Sequence, residues 1–331
     1  MSKCLSVLVC VLLFSQSCIS GTGKNNVTQN DKIDRQVKAT VDALNSEVYN
    51  IMCENNFEKL SQMFTDTLQS MLGPDFAGKF MPNMQRVMKD KKCRIYDEFH
   101  ITHARPHDTV TLSSGTGDNA YTLIIKPYAP ESFVAMLIAG DSLNEVMLTL
   151  TYINVKDKWK ISGLYGENYS LHRKNAIEQY HAAEALQKSS YLTDAVATMG
   201  MAKNCMTPGG RTFQYKKQTE INTFVDTLIK QTDNKYTLPY TFNEMKTKPK
   251  ILDIQYQIFN GDFAPLIVYQ SSVNVADTVA LKKENDDLQK YTGKLFYGID
   301  KVNKTILYRV YNELPNGQNN PRYYGYIEKV I

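Results

Sequence analysis

The stretch MLTLTYINVKDKWKISGL, residues 147–164, decides the fold expected for the first half of this chain. Two runs rich in β-forming residues, 147–155 and 159–164, flank the short polar connection Lys156-Asp157-Lys158. β-Branched and aromatic residues favour strands, and a short polar link between two such runs is typical of a hairpin. The stretch therefore predicts an antiparallel hairpin that carries the chain's single tryptophan, Trp159.

The residues before this hairpin predict helices followed by more strands. Six apolar residues recur at helical spacing: Ile33, Val37, Val41, Leu44, Val48 and Ile51. They predict a helix over 31–54 with Asn30 or Asp31 as its N-cap. Two further helices are expected at 56–70 and 76–89, the second interrupted at Pro82, and then strands at 95–105, 110–112 and 121–126. Helices that precede a curved antiparallel sheet form an α+β cone.

Three features of this region together carry a family resemblance. They are the long helix, the segment Asn56-Phe57-Glu58-Lys59-Leu60 and the hairpin end Asp157-Lys158-Trp159-Lys160-Ile161-Ser162-Gly163-Leu164. They resemble the NTF2-like (cystatin-like) superfamily over 32–170, in particular the small domains of secreted and lipid-anchored bacterial proteins. The resemblance implies either an enzyme with Asp, His and Tyr inside the cone, or a non-catalytic domain that holds a ligand or partner. No catalytic pattern of the enzymes matches this chain position by position, so no catalytic residue is assigned.

Residues 171–210 follow as a predicted helical hairpin. Helices are expected at 175–188 and 192–206, and Pro208-Gly209-Gly210 ends the second. Ala183, Ala195 and Ala202 have the spacing of small packing positions in a tetratricopeptide repeat. Because a repeat array needs about three units to bury its faces, a single unit is expected to brace two domains.

The C-terminal range, 211–331, predicts a second α+β domain, for which no family is recognised. An amphipathic helix begins it, with its apolar face formed by Ile221, Phe224, Val225, Leu228 and Ile229. Alternation over 252–258 predicts a strand with one wet face. Further strands are expected at 266–271, 294–299, 305–311 and 323–330, and a helix at 277–290, which gives an antiparallel sheet interrupted by one helix.

More than half of the 21 tyrosines fall in this C-terminal range. Tyrosine joins an apolar ring to a hydroxyl and is common on surfaces that bind proteins or sugars. Tyr323 and Tyr324 are therefore candidates for a surface that binds an envelope protein or a glycan. The alternative is that they are ordinary strand residues.

The first eighteen residues predict export. Lys3 precedes an apolar run over 5–14 that is too short to span a bilayer. Ser15-Gln16-Ser17-Cys18 then resembles the lipobox of bacterial lipoproteins, in the relaxed form found in Bacteroidetes. The resemblance implies that Cys18 is the lipidated first residue of the mature chain and that 19–31 is a flexible tether. The alternative is an ordinary secretory peptide cut near residues 20–23.

Three cysteines then remain in the mature chain. Cys53 and Cys93 are candidates for a disulfide in an oxidising compartment, although small buried thiols are an equal alternative. Cys205 completes the set. No Cys/His spacing typical of zinc or redox motifs is present, and no cofactor is expected.

Three of the five histidines cluster as His100, His103 and His107. Imidazole is a common metal ligand and titrates near neutrality, so His100 and His103 are candidates for a ligand or metal site. In a strand, positions 100 and 103 project to opposite faces, and Pro106 turns the chain before the third histidine. The alternative is an exposed strand end.

Composition indicates a folded globular body, with 43% hydrophobic and 22% charged residues. The net charge of +4 without dense Lys/Arg clusters argues against a nucleic-acid partner. The leading expectation is a lipid-anchored cell-envelope protein that binds a ligand or a protein without catalysis. Two alternatives stay open: an NTF2-like enzyme with a small apolar substrate in the cone, or a structural subunit of an envelope complex.

Overall fold

The hairpin expected at residues 147–164 is present in the structure, a computed structural model that describes residues 24–73, 75–89, 92–105, 107–126, 128–141, 143–314, 318–319 and 321–330. Its two central residues, Lys156 and Asp157, have φ values of 52° and 62°. Positive φ at both positions is the geometry of a two-residue turn whose twist matches that of the flanking strands. Val155 and Lys158 are paired directly across this turn.

The described residues contain fourteen strands and nine α-helices. The strands are β1 (Asn26–Gln29), β2 (Lys92–Thr102), β3 (Val110–Ser114), β4 (Tyr121–Ile125), β5 (Glu131–Gly140), β6 (Glu145–Val155), β7 (Lys158–Leu171), β8 (Lys174–Asn175), β9 (Phe213–Tyr215), β10 (Tyr240–Thr241), β11 (Lys250–Phe259), β12 (Asp262–Gln270), β13 (Thr305–Tyr311) and β14 (Tyr323–Lys329). The helices are α1 (Arg35–Cys53), α2 (Phe57–Ser61), α3 (Asp66–Met71), α4 (Met81–Met88), α5 (Ala176–Lys188), α6 (Leu192–Asn204), α7 (Gln218–Lys235), α8 (Thr278–Leu295) and α9 (Ile299–Val302). A π-helical turn at Phe76–Phe80 leads into α4. The predicted α+β class is confirmed.

The first long helix begins later than the sequence predicted. Asp34, and not Asn30 or Asp31, is its N-cap, because the Asp34 carboxylate accepts hydrogen bonds from the backbone N–H groups of Gln36 and Val37. Val41, Val48 and Ile51 are fully buried, so the predicted apolar stripe faces the core. Ile33 is also buried but lies before the helix.

A six-stranded antiparallel sheet organises the N-terminal half, in the order β1-β2-β5-β6-β7-β8. Its central strand β5 is buried on both faces from residue 132 to 139. Phe133, Ala135 and Leu137 belong to a core shared with α1–α4, called here the helix-side core. Val134 and Met136 belong to the core on the opposite face. The sequence predicted no strand here, because a strand covered on both faces lacks the apolar–polar alternation.

Part of the predicted tether is a strand. Residues Asn26–Gln29 form β1, which pairs antiparallel with the end of β2. Gln29 Nε2 and Asn30 Nδ2 donate to Asp97 Oδ1 at 3.0 and 2.9 Å, and Asn30 Oδ1 accepts from the Glu98 N–H at 2.8 Å. Strand pairing and side-chain hydrogen bonds therefore fix residues 26–30, in contrast to the flexibility expected of 19–31. Residues 1–23, including the predicted signal peptide, lie outside the described residues.

The opposite core continues across residue 210, where the sequence predicted a domain boundary. A three-stranded sheet, β3-β4-β9, joins Phe213–Tyr215 to strands from the first half of the chain. Ile221 and Leu228 of α7 lie in the same core as Ala183, Ala195 and Ala202 of the helical hairpin α5–α6. The three alanines are fully buried, as their small size predicted. The hairpin is thus covered by α7 as well as by the sheets.

The C-terminal sheet is mixed, which corrects the predicted antiparallel sheet. Its order is β10-β11-β12-β13-β14, and β12 pairs parallel with β13. Helix α8 forms the crossover between these two strands, and a crossover is what a parallel pair requires. The strand predicted at 294–299 is wrong, since α8 continues to Leu295 and Gly298 adopts φ 94° before α9.

Candidate functional site

The residues proposed from sequence do not form one site. Cys18 lies outside the described residues. Cys53 at the end of α1 and Cys93 in β2 are thiols in the structure. Partial removal from water, and secondly the nearby Cys53, raise the pKa of the Cys93 thiol to about 11. The proposed disulfide between them stays a prediction.

The histidines also do not converge. His100 Nε2 lies 2.7 Å from Glu131 Oε1, whereas His103 Nε2 lies 2.7 Å from Ser132 Oγ. His107 contacts the Tyr128 ring. No group of three or more His, Cys, Asp or Glu side chains in the described part of the chain is placed to hold a metal ion. His100 and His103 thus bond to adjacent residues of β5, which project to opposite faces of the sheet.

Tyr323 and Tyr324 lie on β14, the outermost strand of the C-terminal sheet, and are 51% and 39% exposed. The guanidinium carbon of Arg309 lies 4.8 Å from the centre of the Tyr323 ring. As neighbours in a strand, the two tyrosines project to opposite faces. They therefore do not share one flat surface, and their role in binding stays a prediction.

The structure instead places a large cleft between the helical hairpin and the C-terminal sheet. We use "the cleft" for two adjoining cavities of about 930 and 580 Å³. They share five lining residues: His172, Ala197, Met201, Tyr256 and Phe263. Volumes of this size are typical of small-molecule sites.

Three segments of the chain form most of the wall of the larger cavity. On α6, the residues Val196, Ala197, Gly200 and Met201 recur every three or four positions and so share a face. On β11, Ile254, Tyr256 and Ile258 alternate along the strand, as a single face of a strand requires. The end of α7 and the residues after it supply Thr232, Asp233, Tyr236 and Leu238. Ile258 is 63% exposed, so the fold leaves this end of the apolar face of β11 open.

Aromatic rings group at the junction of the two cavities. The Tyr256 and Phe263 rings stack at 5.3 Å between centres, and the His172 ring lies 5.7 Å from that of Phe263. His172 adopts φ 49° in the two-residue turn between β7 and β8. The turn thus presents the His172 ring to both cavities.

One buried carboxylate lies in the smaller cavity. Asp194, in the first turn of α6, is only 6% exposed. Its Oδ1 accepts hydrogen bonds from the Tyr256 hydroxyl at 2.9 Å and from Asn303 Nδ2 at 2.7 Å. Its Oδ2 has no hydrogen-bond partner among the described residues. Burial raises the pKa of the Asp194 carboxyl above its ordinary value, against the opposite effect of these hydrogen bonds.

Sequence reasoning missed this site. The alternation in β11 was visible, but it predicted a face packed on a core and not one left open. Nothing local distinguishes Asp194 from a surface aspartate, because its burial depends on Tyr256 and Asn303, which are 62 and 109 residues away.

The comparisons give no further assignment: neither protein-family models, nor curated proteins, nor solved structures gave a match to this chain. Within the described residues, none of the helices combines the length and the apolar character needed to cross a bilayer.

Proposed function

We propose that this chain is an exported, lipid-anchored cell-envelope protein that binds a ligand in the cleft without catalysis. The observation that carries the binding proposal is the cleft itself. It is an open, largely apolar space of about 930 Å³ with an adjoining cavity that contains a buried carboxylate. A large apolar pocket with a few polar groups is the usual form of a ligand site.

We assign the ligand to the cleft and not to the interior of the NTF2-like cone. Large side chains fill most of the space between α1–α4 and the sheet, among them Phe133 and Tyr152, which are fully buried. The cavity that remains between α1 and the sheet measures about 280 Å³, less than a third of the larger cavity of the cleft. The Tyr152 hydroxyl donates to Asn45 Oδ1 at 2.9 Å and so is satisfied within the protein. In this proposal the NTF2-like region, 32–170, is a scaffold: the helical hairpin that forms one wall of the cleft packs on its sheet.

The lipid anchor on Cys18 would hold the body close to the membrane. Seven residues separate Cys18 from Asn26, the first residue of β1, and seven extended residues span at most about 25 Å. We therefore expect the envelope partners of this protein to lie on or near that membrane.

The cleft can be tested by filling it. Gly200 lies on the cleft face of α6, is exposed, and has open space where a side chain would project. Because glycine weakens a helix interior, Gly200→Trp should keep the fold while it occupies the cavity. We expect the neutral fluorescent probe N-phenyl-1-naphthylamine to bind the unchanged protein with a Kd on the order of micromolar. Binding should be lost in Gly200→Trp.

Two variants control this experiment. Gly200→Ala changes helix propensity without filling the cleft, and Lys203→Trp adds the same ring at an exposed position of α6 that does not line it. Both should bind the probe as the unchanged protein does. Absence of saturable binding to the unchanged protein, or equal binding to Gly200→Trp, would refute the proposed site.

The anchor is tested separately. Intact mass and membrane fractionation of the natively expressed protein are compared with those of Cys18→Ser. We expect a lipid-sized mass increment and membrane retention that both disappear in the variant. A soluble, unmodified chain that begins near residue 21 would overturn the anchor while leaving the cleft proposal standing.

A further inference from the structure

We propose that the ligand of the cleft is a cationic amphiphile. Its apolar body would occupy the larger cavity, and its ammonium group would lie in the smaller cavity beside Asp194. This inference rests on the proposed function and adds the chemical class of the ligand.

The charges around the cleft have one dominant sign. The larger cavity is lined by the carboxylates of Asp233 and Asp253, both exposed, and by neither lysine nor arginine among the described residues. The smaller cavity adds Asp194 and one exposed lysine, Lys174. A site whose charged groups are mostly carboxylates attracts cations and repels anions, and low-dielectric walls strengthen this effect. Anionic amphiphiles such as fatty acids are therefore disfavoured.

Asp194 gives the second and independent observation. It is 94% buried, and its Oδ1 already accepts two hydrogen bonds while Oδ2 accepts none from the described residues. A carboxylate withdrawn from water needs a compensating donor or cation. Among the described residues, neither a lysine nor an arginine pairs with Asp194. Since Asp194 lines the smaller cavity, a ligand ammonium placed there would supply the missing charge.

The walls fit the remainder of such a ligand. Met201, Leu238, Ile254 and Ile258 offer an apolar surface in the larger cavity. The stacked rings of Tyr256 and Phe263 lie where the two cavities meet. Aromatic faces stabilise ammonium groups through their ring quadrupoles. These rings would therefore contact the part of the ligand where its apolar chain joins the charged head group.

The test uses three ligands that share one chain length and differ in the head group: decylamine, decanol and decanoate. Each is titrated at pH 7, below its aggregation concentration, as a competitor of N-phenyl-1-naphthylamine. We expect decylammonium to bind at least about tenfold more tightly than decanol, because a hydrogen bond between charged groups is stronger than one made by a neutral hydroxyl. Decanoate should bind most weakly.

Asp194→Asn should remove most of the preference for decylammonium over decanol and leave decanol binding within about threefold. Asparagine keeps an oxygen that can accept from the Tyr256 hydroxyl, and circular dichroism with thermal unfolding reports whether the fold is kept. The matched control is Asp226→Asn, an exposed aspartate of α7 that does not line the cleft. If Asp194→Asn does not fold, Asp253→Asn at the cleft wall is the second variant, with a smaller expected loss of preference.

The outcomes separate the two proposals. If neither the probe nor any of the three ligands binds, the cleft is not a ligand site and both proposals fail. If decanol or decanoate binds as tightly as decylammonium, the site stands and the cationic ligand class is wrong. An undiminished preference in a folded Asp194→Asn protein would also overturn the role given to Asp194.

Discussion

At the scale of single residues, the environment of His103 predicts how stability depends on pH. The side chain is 6% exposed, and its Nδ1 has no hydrogen-bond partner among the described residues. Burial lowers the pKa of His103 in the folded state. The unfolded chain, in which the pKa is about 6.5, therefore binds a proton on this ring more readily than the folded protein does. The resulting stabilisation is present above that value and is lost as the pH falls through the lower, folded-state pKa.

The substitution that tests this is His103→Gln, which keeps a group able to bond Ser132. We expect its free energy of unfolding, measured in urea, to fall less between pH 7 and pH 5 than that of the unchanged protein. His181→Gln is the opposite control, because hydrogen bonds with Glu184 and Asp118 raise the pKa of His181. The free energy of unfolding of that variant should fall more steeply between pH 7 and pH 5 than that of the unchanged protein. Parallel pH profiles for His103→Gln and the unchanged protein would contradict the prediction.

The same residues show what local sequence can reveal about a site. The strand period predicted that His100 and His103 project to opposite faces, because alternation of side chains is a local property. In the structure β2 ends at Thr102, one residue before His103. The partners of each histidine lie on β5, a strand that the sequence did not reveal. Asp194 shows the same limit, since its burial and both its hydrogen-bond donors come from residues far along the chain.

At the scale of elements, β1 depends on a small set of polar contacts to β2. A bulge in β2 between Ile95 and Asp97 accompanies the burial of both Asp97 and Glu98. Asp97 accepts hydrogen bonds from Gln29 and Asn30 on Oδ1, and from the Tyr121 hydroxyl at 2.6 Å on Oδ2. Asn30 itself adopts φ 52°, a conformation that asparagine tolerates better than alanine does.

Asn30→Ala should therefore release β1. The change removes a donor to Asp97 and the acceptor of the Glu98 N–H, and it adds backbone strain, for an expected loss of about 2–4 kcal/mol of unfolding free energy. Hydrogen exchange of the amides of residues 26–29 should become faster. Asn30→Gly avoids the strain but loses both hydrogen bonds. Its unfolding free energy and its exchange rates should therefore lie between those of the unchanged protein and those of Asn30→Ala. Unchanged exchange in Asn30→Ala would show that backbone pairing alone holds the strand.

Helix α8 carries a different buried carboxylate. Glu284 is 4% exposed, and neither of its carboxylate oxygens has a hydrogen-bond partner among the described residues. A buried charge without a partner opposes folding, and an apolar group of similar length does not. Glu284→Met should therefore stabilise the protein by about 1–3 kcal/mol, measured by urea unfolding.

The control for Glu284→Met is Lys283→Met, at the exposed neighbour in the same helix, which should change stability by less than about 0.5 kcal/mol. A destabilised Glu284→Met protein would show that the carboxylate has a partner in solution, such as a cation bound in the adjoining cavity that Glu284 lines.

Elements with a strong local pattern were the predictable ones. The apolar stripe of α1, the β6–β7 hairpin and the amphipathic face of α7 all follow from spacing within twenty residues. The failures have physical reasons. β5 lacks alternation because both its faces are covered, and residues 294–295 lie in a helix although the aromatic residues that follow favour strands.

At the scale of the whole molecule, the arrangement of the units depends on pairings that no local pattern contains. β9 joins β4 across almost ninety residues of chain, so the core continues past the expected boundary at 210. The larger cavity of the cleft is likewise lined mainly by three segments, at 193–204, 232–238 and 253–263, that meet only after folding. The α+β class was predictable from the order of elements, whereas the cleft was not.

A cleft with walls from both halves of the molecule makes a prediction about coupling. A ligand that contacts α6 and β11 together stabilises both, because opening of either wall would release it. At a concentration of N-phenyl-1-naphthylamine a hundred times its Kd, mass action should add about 2.7 kcal/mol to the free energy of unfolding. Hydrogen exchange should then slow in peptides from α6 and in peptides from β11, and not in Gly200→Trp. Protection of one wall alone would mean that the probe binds a surface of one half, and that the cleft does not join the two halves through its ligand.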